Sequence, residues 1–504
     1  MRVLLDTNII IHREANLPIN KDIGRLFRWL DDLKYTKCIH PTTVEEIKKH
    51  RDEKVVRSMG IKLENYHLMQ TQAPLKTELE TLSKQIDINE NDINDTIILN
   101  ELVSDRVDYL ITEDRKIHKK STILGLADRV FTIDAFLEKV YAENPNLVDY
   151  KVLSVRKEFF GNINIKDTFF DSFKEDYQGF EKWFNKKSDE IAYICESTEK
   201  KIAAFLYLKV EDRNENYSDI SPQFYPKKRL KIGTFKVVSN GFKLGERFLK
   251  IIFDNALHFK VDEIYVTIFQ KRFEQQRLID LLKDWGFVEF GSKKSQSGEE
   301  IVFIRDFSKR VDLSAPKLTY PYINKGTNVF FVPIYPDYHT ELFPDSILRT
   351  ESPKDFIENE PHRNAISKVY VCRSIERNLR SGDIVVFYRT GGYYQGVVST
   401  IGVVENVVTN ISSAEQLILL CRKRSVFTDK QLVEQWNHNP KSRPFIVNFL
   451  YVYSLNKRLN LKSLIDLEII KDVNSVPRGF AKISLDNFEA IIKASESNAS
   501  FIIN

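Results

Sequence analysis

The sequence predicts a multidomain α/β protein built from three successive blocks, and three observations support this prediction. The chain has 504 residues, and at roughly 100–200 residues per domain this length indicates about three domains. Residues 1–142 alternate short apolar strands with amphipathic helices, a pattern typical of a parallel sheet covered on both faces. The residues after about 328 contain several β-branched and aromatic runs, which favour strands.

Composition excludes several classes of protein. With 42% hydrophobic and 29% charged residues, the chain has the composition of a globular protein. Its 75 basic and 71 acidic residues leave a net charge of +4, which excludes a histone-like polycation but allows local basic patches. No run approaches the roughly 18 apolar residues of a membrane helix. The four scattered cysteines form no CxxC pair, so we expect a cytoplasmic protein without structural zinc or disulfides.

The first block, residues 1–142, is predicted to contain strands separated by helices. Apolar runs predict strands at 3–6, 37–41 and 107–114, and amphipathic runs predict helices at 24–34, 42–56 and 95–105. The polar segment 143–149, ENPNLVD, is predicted to be a linker.

The second block, 150–312, is predicted to be a mixed α/β domain. Consecutive strands are expected at 192–197, 201–212 and 229–239, followed by a helix at 241–259, a strand at 262–269 and a helix at 275–287. The proline-bearing segment 312–326 is predicted to be a second linker. The third block, 325–504, is predicted to be a partly closed β-barrel with a few helices.

Four carboxylates of the first block are the strongest functional signal. Asp6 follows a buried strand, and Thr112, Glu113 and Asp114 follow another; in open α/β sheets, ligand crevices form at such strand ends. Two further acids, Glu46 and Asp95, are predicted in the first turns of helices. Each could simply be a structural residue. Glu46 could belong to a Thr43-x-x-Glu46 capping box, and the helix dipole would favour Asp95 near a helix start. Clustered carboxylates raise each other's pKa unless a cation neutralises them, and oxygen ligands suit Mg²⁺ or Mn²⁺.

These motifs resemble the PIN-domain family of nucleases over about 140 residues. The resemblance rests on LLDTNIII, VEEI, INDTIIL and YLITEDRKI, which occur in the family's order. It implies a metal-dependent nuclease, in most members a ribonuclease, in which a metal-activated water attacks a phosphodiester and leaves 5′-phosphate and 3′-hydroxyl ends. By the resemblance, the catalytic and metal-binding acids are Asp6, Glu46, Asp95 and Asp114, with Asn8 and Thr112 as supporting residues and Glu45 and Asp92 as alternatives for two places.

The second block resembles the GNAT acetyltransferase family over roughly residues 165–310. SNGFKLGERFLK follows a strand and opens a helix, and LIDLLKDWGFVEFG ends a helix at Gly286-Phe287. Backbone N–H groups at a helix N-terminus can hold a pyrophosphate. The sequence departs from the family's Arg/Gln-x-x-Gly-x-Gly/Ala loop at Asn240 and Lys243, and Leu282 replaces a frequent tyrosine. The resemblance implies that acetyl-CoA would bind near Val237, Val238, Lys243, Leu244, Gly245 and Glu246; Glu211 and Asp212 are the candidate general bases.

The third block resembles the ASCH/EVE branch of the PUA-like fold over about residues 325–495. RSGDIVVFYRTGGYYQGVVSTIGVVENV carries the resemblance, which implies a small barrel that binds RNA or modified bases. Aromatic faces stack bases and basic groups hold phosphates, although aromatics in strands are more often core and short basic runs are usually solvated. Aromatics also lie around His339, namely Tyr335, Tyr338 and Phe343. The candidate RNA contacts are Arg389, Tyr393, Tyr394, Arg422, Lys423 and Arg424.

Three hypotheses for the whole chain remain open. The leading one is an RNA-cleaving enzyme whose third block selects RNA, including tRNA, and whose second block binds acyl-CoA; a toxin or defence role restrained by an inhibitory antitoxin protein fits it. The second is an N-acetyltransferase acting on tRNA, aminoacyl-tRNA or protein, with a regulatory PIN domain. The third is a non-catalytic RNA-binding protein. The PIN resemblance also implies pairing into a homodimer, and no membrane association is expected.

Overall fold

The computed structural model describes residues 1–14, 21–49, 56, 63–143, 155–196, 201–238, 243–346, 363, 365–422 and 424–503. The chain forms two compact units. Unit 1 comprises Met1–Val148, Gly391–Val397 and Leu459–Val473, and unit 2 comprises Asp149–Thr390, Val398–Arg458 and Asn474–Asn504. Most of the first predicted linker, 144–149, lies outside the described residues.

Unit 1 is built on a five-stranded sheet with the order β3-β2-β1-β4-β5. Every pairing in this sheet is parallel, which confirms the predicted parallel sheet at the N-terminus. Its strands are β1 (Arg2–Leu5), β2 (Thr36–Ile39), β3 (His67–Leu68), β4 (Tyr109–Ile111) and β5 (Val130–Phe131). Its helices are α1 (Thr7–Glu14), α2 (Lys21–Asp32), α3 (Pro41–Lys48), α4 (Thr77–Ile86), α5 (Glu90–Val103), α6 (Arg115–Ile123), α7 (Ile133–Glu143) and, from the C-terminal part of the chain, α16 (Leu461–Asp466).

The central position of β1 and β4 brings distant residues to one edge of the sheet. Leu4 pairs with Leu110 and Leu5 with Ile111, and both strands are buried among apolar side chains. Because the strands are parallel, the residues that follow them, Asp6 and Thr112–Asp114, lie at the same edge.

Two helices of unit 1 begin earlier than the sequence predicts. Helix α5 begins at Glu90 because Asn89 caps it in a capping box with Asp92, so Asp95 lies in the second turn and not the first. Helix α3 begins at Pro41, with the His40 side chain accepting a hydrogen bond from the Thr42 backbone. The predicted Thr43-x-x-Glu46 capping box is therefore wrong, since both residues lie inside the helix.

The middle of the chain forms an eight-stranded mixed sheet with the order β6-β7-β8-β10-β11-β13-β12-β9. Its strands are β6 (Val155–Phe159), β7 (Ile191–Glu196), β8 (Ile202–Glu211), β9 (Ile220–Ser221), β10 (Arg229–Val237), β11 (Glu263–Ile268), β12 (Val288–Ser295) and β13 (Gly298–Asp306). Its helices are α8 (Asp171–Asp176), α9 (Phe180–Asn185), α10 (Leu244–Phe259) and α11 (Phe273–Asp284). These elements agree with the predicted mixed α/β block.

Two parallel neighbours of this sheet separate at their C-terminal ends. Strands β10 and β11 are its parallel pair, and their pairing stops at Ile232 and Val266. Strand β10 continues to Val237 along β8 after a bulge at Gly233, and β11 continues to Ile268 along β13. The backbone edges that face each other beyond this point are therefore not paired with each other, and a gap opens between the strands.

The last part of unit 2 contains a six-stranded sheet with the order β16-β19-β18-β17-β15-β20. The remaining strands are β14 (Ile323–Asn324), β15 (Val329–Ile334), β16 (Ser367–Cys372), β17 (Ile384–Arg389), β18 (Val397–Val408), β19 (Phe445–Asn460), β20 (Ala481–Ile483) and β21 (Ile502–Ile503). The remaining helices are α12 (Pro316–Thr319), α13 (Pro336–Leu342), α14 (Ala414–Cys421), α15 (Asp429–Asn437) and α17 (Leu485–Ala494).

The second predicted linker is packed into unit 2. It contains α12 and β14, and its Tyr320 and Ile323 are buried. The Tyr320 hydroxyl donates a hydrogen bond of 2.7 Å to the Tyr451 carbonyl, which fixes this segment against β19. Among the described residues, no helix is both long enough and apolar enough to cross a bilayer.

Candidate functional site

Asp6 is a buried carboxylate held in place by polar neighbours. Its Oδ1 accepts a hydrogen bond from the Thr7 backbone at 2.7 Å. Its Oδ2 accepts from Thr112 Oγ1 at 2.6 Å and from Asn8 Nδ2 at 2.7 Å. The two residues predicted to support the site therefore contact one of its acids directly, and this orients the carboxylate at the strand edge.

Asp114 caps the helix that follows β4. Its Oδ1 accepts hydrogen bonds from the backbones of Lys116 and Ile117, at 2.7 and 2.9 Å, and its own backbone N–H donates to Thr112 Oγ1 at 2.9 Å. Capping occupies one carboxylate oxygen, whereas Oδ2 makes no hydrogen bond in the described structure. Asp114 therefore has a structural role and also a free oxygen near Asp6.

Glu46 and Asp95 come from α3 and α5 and are both half-buried. Asn94 Nδ2 donates to Glu46 Oε1 at 2.7 Å, which fixes that side chain. The Asp95 side chain makes no hydrogen bond to any described residue.

The four predicted acids influence one another electrostatically. Burial raises the pKa of Asp6 to about 6, and repulsion from Glu46 and Asp114 adds to this effect. Burial likewise raises the pKa of Asp95 to about 7, with further contributions from Asp6, Asp114 and Glu46. The structure thus brings Glu46 and Asp114 near enough to Asp6 and Asp95 for their charges to raise the pKa of these two acids.

Asp92, the alternative to Asp95, belongs to a different network. Its Oδ2 accepts hydrogen bonds from Lys116 Nζ at 2.7 Å and from the Ile88 and Asn89 backbones. These partners, Lys116 first, lower the pKa of Asp92 to about 2, so its charge is already compensated. Glu45, the alternative to Glu46, is exposed.

The carboxylate cluster, defined as Asp6, Glu46, Asp95 and Asp114, fits a divalent cation in charge and in ligand chemistry. Burial, and then repulsion between the acids, raises the pKa of Asp6 and Asp95, and Asn8 Oδ1 is a buried acceptor without a donor among the described residues. A divalent ion would supply that positive charge. In the part of the chain that the structure describes, however, no group of three or more His, Cys, Asp or Glu side chains is gathered tightly enough to hold a metal ion.

A large cavity in unit 2 opens where β10 and β11 separate. Its volume is about 1150 Å³. The cavity is lined by all six residues predicted to contact acetyl-CoA, namely Val237, Val238, Lys243, Leu244, Gly245 and Glu246. Lys243 immediately precedes α10 and adopts a left-handed conformation with φ of 56°. Asn240, the first residue of the predicted pyrophosphate loop, lies outside the described residues.

Glu246 lines this cavity but uses both carboxylate oxygens within the protein. Its Oε1 accepts a hydrogen bond from Lys243 Nζ at 2.8 Å. Its Oε2 accepts from the backbones of Ile366 and Ser367 at 3.0 and 3.1 Å. The side chain therefore anchors the first turn of α10 to the start of β16, which the sequence does not indicate.

The two candidate general bases from the sequence do not line the cavity. Glu211 is buried, and its Oε2 accepts hydrogen bonds from the hydroxyls of Tyr265 and Tyr217, at 2.6 and 3.0 Å. Asp212 is exposed. A different carboxylate, Glu300, does line the cavity and is buried; no motif in the sequence marks it.

The candidate RNA contacts of the third block differ in exposure. Arg389 is buried in β17. Tyr394 is buried in unit 1, where its ring lies 4.6 Å from the Phe131 ring and its hydroxyl donates to the Asp128 carbonyl. Tyr393 and Arg424 are half-buried, Arg422 is exposed, and Lys423 lies outside the described residues. The face of Tyr394 is therefore not presented for base stacking.

The aromatic residues around His339 also differ in exposure. Tyr335 is 70% exposed, Tyr338 is half-buried, and Phe343 is part of the core. His339 is buried beside Ser399, with Nε2 and Oγ 2.7 Å apart. Only Tyr335 of this group presents a broad aromatic face to solvent.

Comparison with known proteins gives one family match. Residues 2–116 match the family model described as PIN domain, so the chain carries a PIN domain at its N-terminus. The matched range contains all four members of the carboxylate cluster. None of the curated proteins matches the chain.

Solved structures are similar to part of the chain. The NatC complex bound to Gag peptide and CoA is 15% identical, with a TM-score of 0.22, over 31% of this chain and 100% of the other. Arabidopsis thaliana Naa50 in complex with a bisubstrate analogue is 14% identical, with a TM-score of 0.21, over 31% and 100%. The ribosomal-protein-S5-alanine acetyltransferase of Vibrio fischeri is 12% identical, with a TM-score of 0.23, over 32% and 95%. Similarities at this level carry no functional conclusion for this chain.

Proposed function

We propose that the chain is a metal-dependent endoribonuclease whose carboxylate cluster, Asp6, Glu46, Asp95 and Asp114, holds Mg²⁺ or Mn²⁺. The observation that carries this proposal is the grouping of these acids: burial raises the pKa of Asp6 and of Asp95, and the nearby Glu46 and Asp114 raise both further. The charges of Glu46 and Asp114 disfavour those of Asp6 and Asp95, and a bound cation would offset this repulsion. The match of residues 2–116 to the PIN domain model supports the same function.

The chain's own residues would position the cluster for this chemistry. Thr112 and Asn8 orient Asp6, Asn94 holds Glu46, and the cap of α6 fixes Asp114. When bound, a divalent ion lowers the pKa of a water and stabilises negative charge on a phosphate. The proposed substrate is therefore a phosphodiester of RNA, including tRNA.

Substitution of the cluster tests the proposal. We expect Asp6→Asn and Asp95→Asn each to reduce cleavage of a labelled RNA in Mn²⁺ by about 100-fold or more, because about 2.7 kcal/mol of transition-state stabilisation corresponds to that factor. Asp105→Asn is the matched control, since Asp105 is exposed and pairs with Arg129 outside the cluster. Undiminished cleavage by both cluster variants would refute the proposal.

A second function, binding of acyl-CoA, is favoured by the cavity of unit 2. The separated ends of β10 and β11 leave backbone groups that face a space of about 1150 Å³, and α10 begins beside it. A helix N-terminus attracts phosphate through its free N–H groups and its dipole. A long acyl thioester with a pyrophosphate group therefore suits this cavity in shape and charge, and an N-acetyltransferase activity of this part of the chain is the alternative function.

Two lysines at opposite ends of α10 provide a matched test of this second function. Lys243 precedes the helix and Lys260 follows it, and both have left-handed backbones, with φ of 56° and 50°. We expect Lys243→Ala to weaken acetyl-CoA binding by roughly 3- to 10-fold in calorimetry, since it removes about 1 kcal/mol of charge interaction. Lys260→Ala should bind acetyl-CoA as tightly as the unsubstituted protein. If the unsubstituted protein does not bind acetyl-CoA, this function is ruled out.

The third block is proposed to close into a PUA-like barrel that helps to select RNA. The exposed Arg422 and Tyr335 are the side chains placed best for this role. An inhibitory protein partner and a homodimer belong to the same proposal and rest on the PIN resemblance alone.

A further inference from the structure

Glu300 is a buried carboxylate in the cavity of unit 2. It lies on β13, is 4% exposed and lines the space between the separated strands. A charged side chain of this kind is costly to bury unless it has partners or a function. The hydrogen-bond partners of the Glu300 carboxylate therefore indicate which role it can have.

Two hydroxyl groups donate hydrogen bonds to one carboxylate oxygen of Glu300. Oε1 of Glu300 accepts a hydrogen bond from the Tyr177 hydroxyl at 2.7 Å and from Thr267 Oγ1 at 3.0 Å. Burial raises the pKa of Tyr177, and the Glu300 charge raises it further, so this phenol stays protonated and remains a donor. Oε2 makes no hydrogen bond in the described structure and is not among its buried polar atoms that lack a partner. This second oxygen is therefore accessible from the cavity.

Glu300 lies next to the point where strands β10 and β11 separate. Val266 is the last residue of β11 that pairs with β10, and Thr267, which holds Glu300, is the next residue. Glu300 thus lies beside the point where the gap between the two strands begins.

The other carboxylates of the cavity are engaged or exposed. Asp176 accepts hydrogen bonds from Arg272 and Gln275, Glu246 uses both oxygens within the protein, and Glu274 is exposed. Glu300 is therefore the buried carboxylate among the described cavity residues that keeps a free oxygen.

Aromatic side chains form another wall of the cavity. The rings of Phe173 and Phe180 stack with centroids 5.3 Å apart and planes 10° apart, and Trp183 and Tyr207 line the same space. Such a wall favours an apolar group, whereas the free oxygen of Glu300 favours a cationic or hydrogen-bond-donating one.

We propose that Glu300 binds and deprotonates the acceptor of an acyl-transfer reaction in this cavity, and that the acceptor is a primary amine carried on an apolar group. The inference rests on the proposed binding of acyl-CoA. Tyr177 and Thr267 are positioning residues, because they act through Glu300.

The reaction balances without a further reagent. The amine nitrogen forms a bond to the thioester carbonyl carbon, and the carbon–sulfur bond breaks with its electron pair on sulfur. The proton lost by the nitrogen passes to Glu300 Oε2 and then to the coenzyme A thiolate, which leaves as the thiol. Acyl thioester and amine thus become amide and thiol, and Glu300 returns to its carboxylate form.

The test uses the full chain with acetyl-CoA as donor and L-phenylalaninamide as amine probe, with thiol release as the readout. We expect Glu300→Gln to lower kcat by about 100-fold, the usual contribution of a general base, while acetyl-CoA affinity measured by calorimetry stays within about twofold. Glu300→Asp should retain intermediate activity. Glu299→Gln, which changes the exposed neighbouring residue, should be fully active.

A positioning role for Tyr177 has its own readout. Tyr177→Phe removes the hydrogen bond that orients Glu300 Oε1, so we expect it to lower kcat while acetyl-CoA affinity, measured by calorimetry, stays unchanged. A merely structural defect would weaken acetyl-CoA binding as well.

The outcomes separate the two proposals. Failure of the unsubstituted protein to bind acetyl-CoA overturns both. Binding of acetyl-CoA without acetylation of the amine, or with equal acetylation by Glu300→Gln, overturns the role of Glu300 and leaves acyl-CoA binding in place.

Discussion

Thr112 Oγ1 donates a hydrogen bond of 2.6 Å to Asp6 Oδ2 and so joins the ends of two neighbouring parallel strands. The same oxygen of Thr112 accepts the Asp114 backbone N–H at 2.9 Å. One hydroxyl therefore connects two acids of the carboxylate cluster, and its donor proton favours the charged form of Asp6.

Removal of this hydroxyl should raise the pKa of Asp6. In Thr112→Val the charged carboxylate loses a donor, so the pKa should rise above its value of about 6, by roughly one unit for a lost hydrogen bond to a charged group. The pH at half-maximal Mn²⁺-dependent cleavage should rise with it, and a carbon-13 titration of Asp6 would measure the shift directly. Thr112→Ser keeps the hydroxyl and should titrate like the unsubstituted protein; equal titration of Thr112→Val would contradict this role.

Asp95 should destabilise the protein as the pH rises. Its folded-state pKa of about 7 is above its ordinary value of 3.8, so the free energy of unfolding should fall between about pH 4 and pH 7 as the folded protein is forced to release the proton. Asp95→Asn should therefore be more stable than the unsubstituted protein at pH 8, on the order of 1–3 kcal/mol, and equally stable at pH 4. Urea unfolding at both pH values measures this difference.

Asp92→Asn is the matched contrast on the same helix and should have the opposite sign. The pKa of Asp92 is lowered to about 2 by Lys116 and by backbone donors, so its charge stabilises the fold above its ordinary pKa and this contribution is lost as the pH falls towards 2. Loss of the carboxylate should destabilise the protein at pH 8. Stabilisation by both substitutions would show that the two acids share one environment.

Divalent ions should stabilise the protein if the carboxylate cluster binds them. At a concentration about 100 times its Kd, Mn²⁺ should add roughly 2.7 kcal/mol to the free energy of unfolding, visible as a rise in Tm that chelation reverses. Asp114→Asn should reduce this rise, while Asp105→Asn should keep it. A rise of the same size in Asp114→Asn would place the ion elsewhere.

Tyr394 should contribute to stability rather than to RNA affinity. Tyr394→Phe loses the hydrogen bond to the Asp128 carbonyl, at a cost of about 1 kcal/mol, but keeps the ring contact with Phe131. Tyr394→Ala also loses that contact and should cost about 3–5 kcal/mol. Denaturant unfolding tests this order, whereas weaker RNA binding without any loss of stability would favour a direct RNA contact.

The sequence predicts the edge of the first sheet well because its signals are local. Asp6 and Asp114 follow apolar strands directly, and parallel strands place their ends together. The sequence does not indicate whether Asp92 or Asp95 belongs to the carboxylate cluster. That assignment depends on the Asn89 capping box and on Lys116, which lies 24 residues after Asp92.

The residues that line the cavity of unit 2 are only partly predictable from the sequence. Its six predicted lining residues are consecutive or nearly so, which is why a short motif indicates them. Glu300 has no such motif, since its partner Tyr177 is 123 residues away. Likewise, the buried contact of Tyr394 with Phe131 joins blocks that the sequence treats as separate, so only the folded chain reveals it.

The discontinuous make-up of unit 1 bears on the order of events during synthesis. Phe131 leaves the ribosome long before Tyr394, and at 5–20 residues per second the interval is roughly 13–50 s. During that time, the first 148 residues lack the segments Gly391–Val397 and Leu459–Val473 that complete their unit. A nascent chain would therefore complete unit 1, including the contact between Tyr394 and Phe131, only near the end of translation.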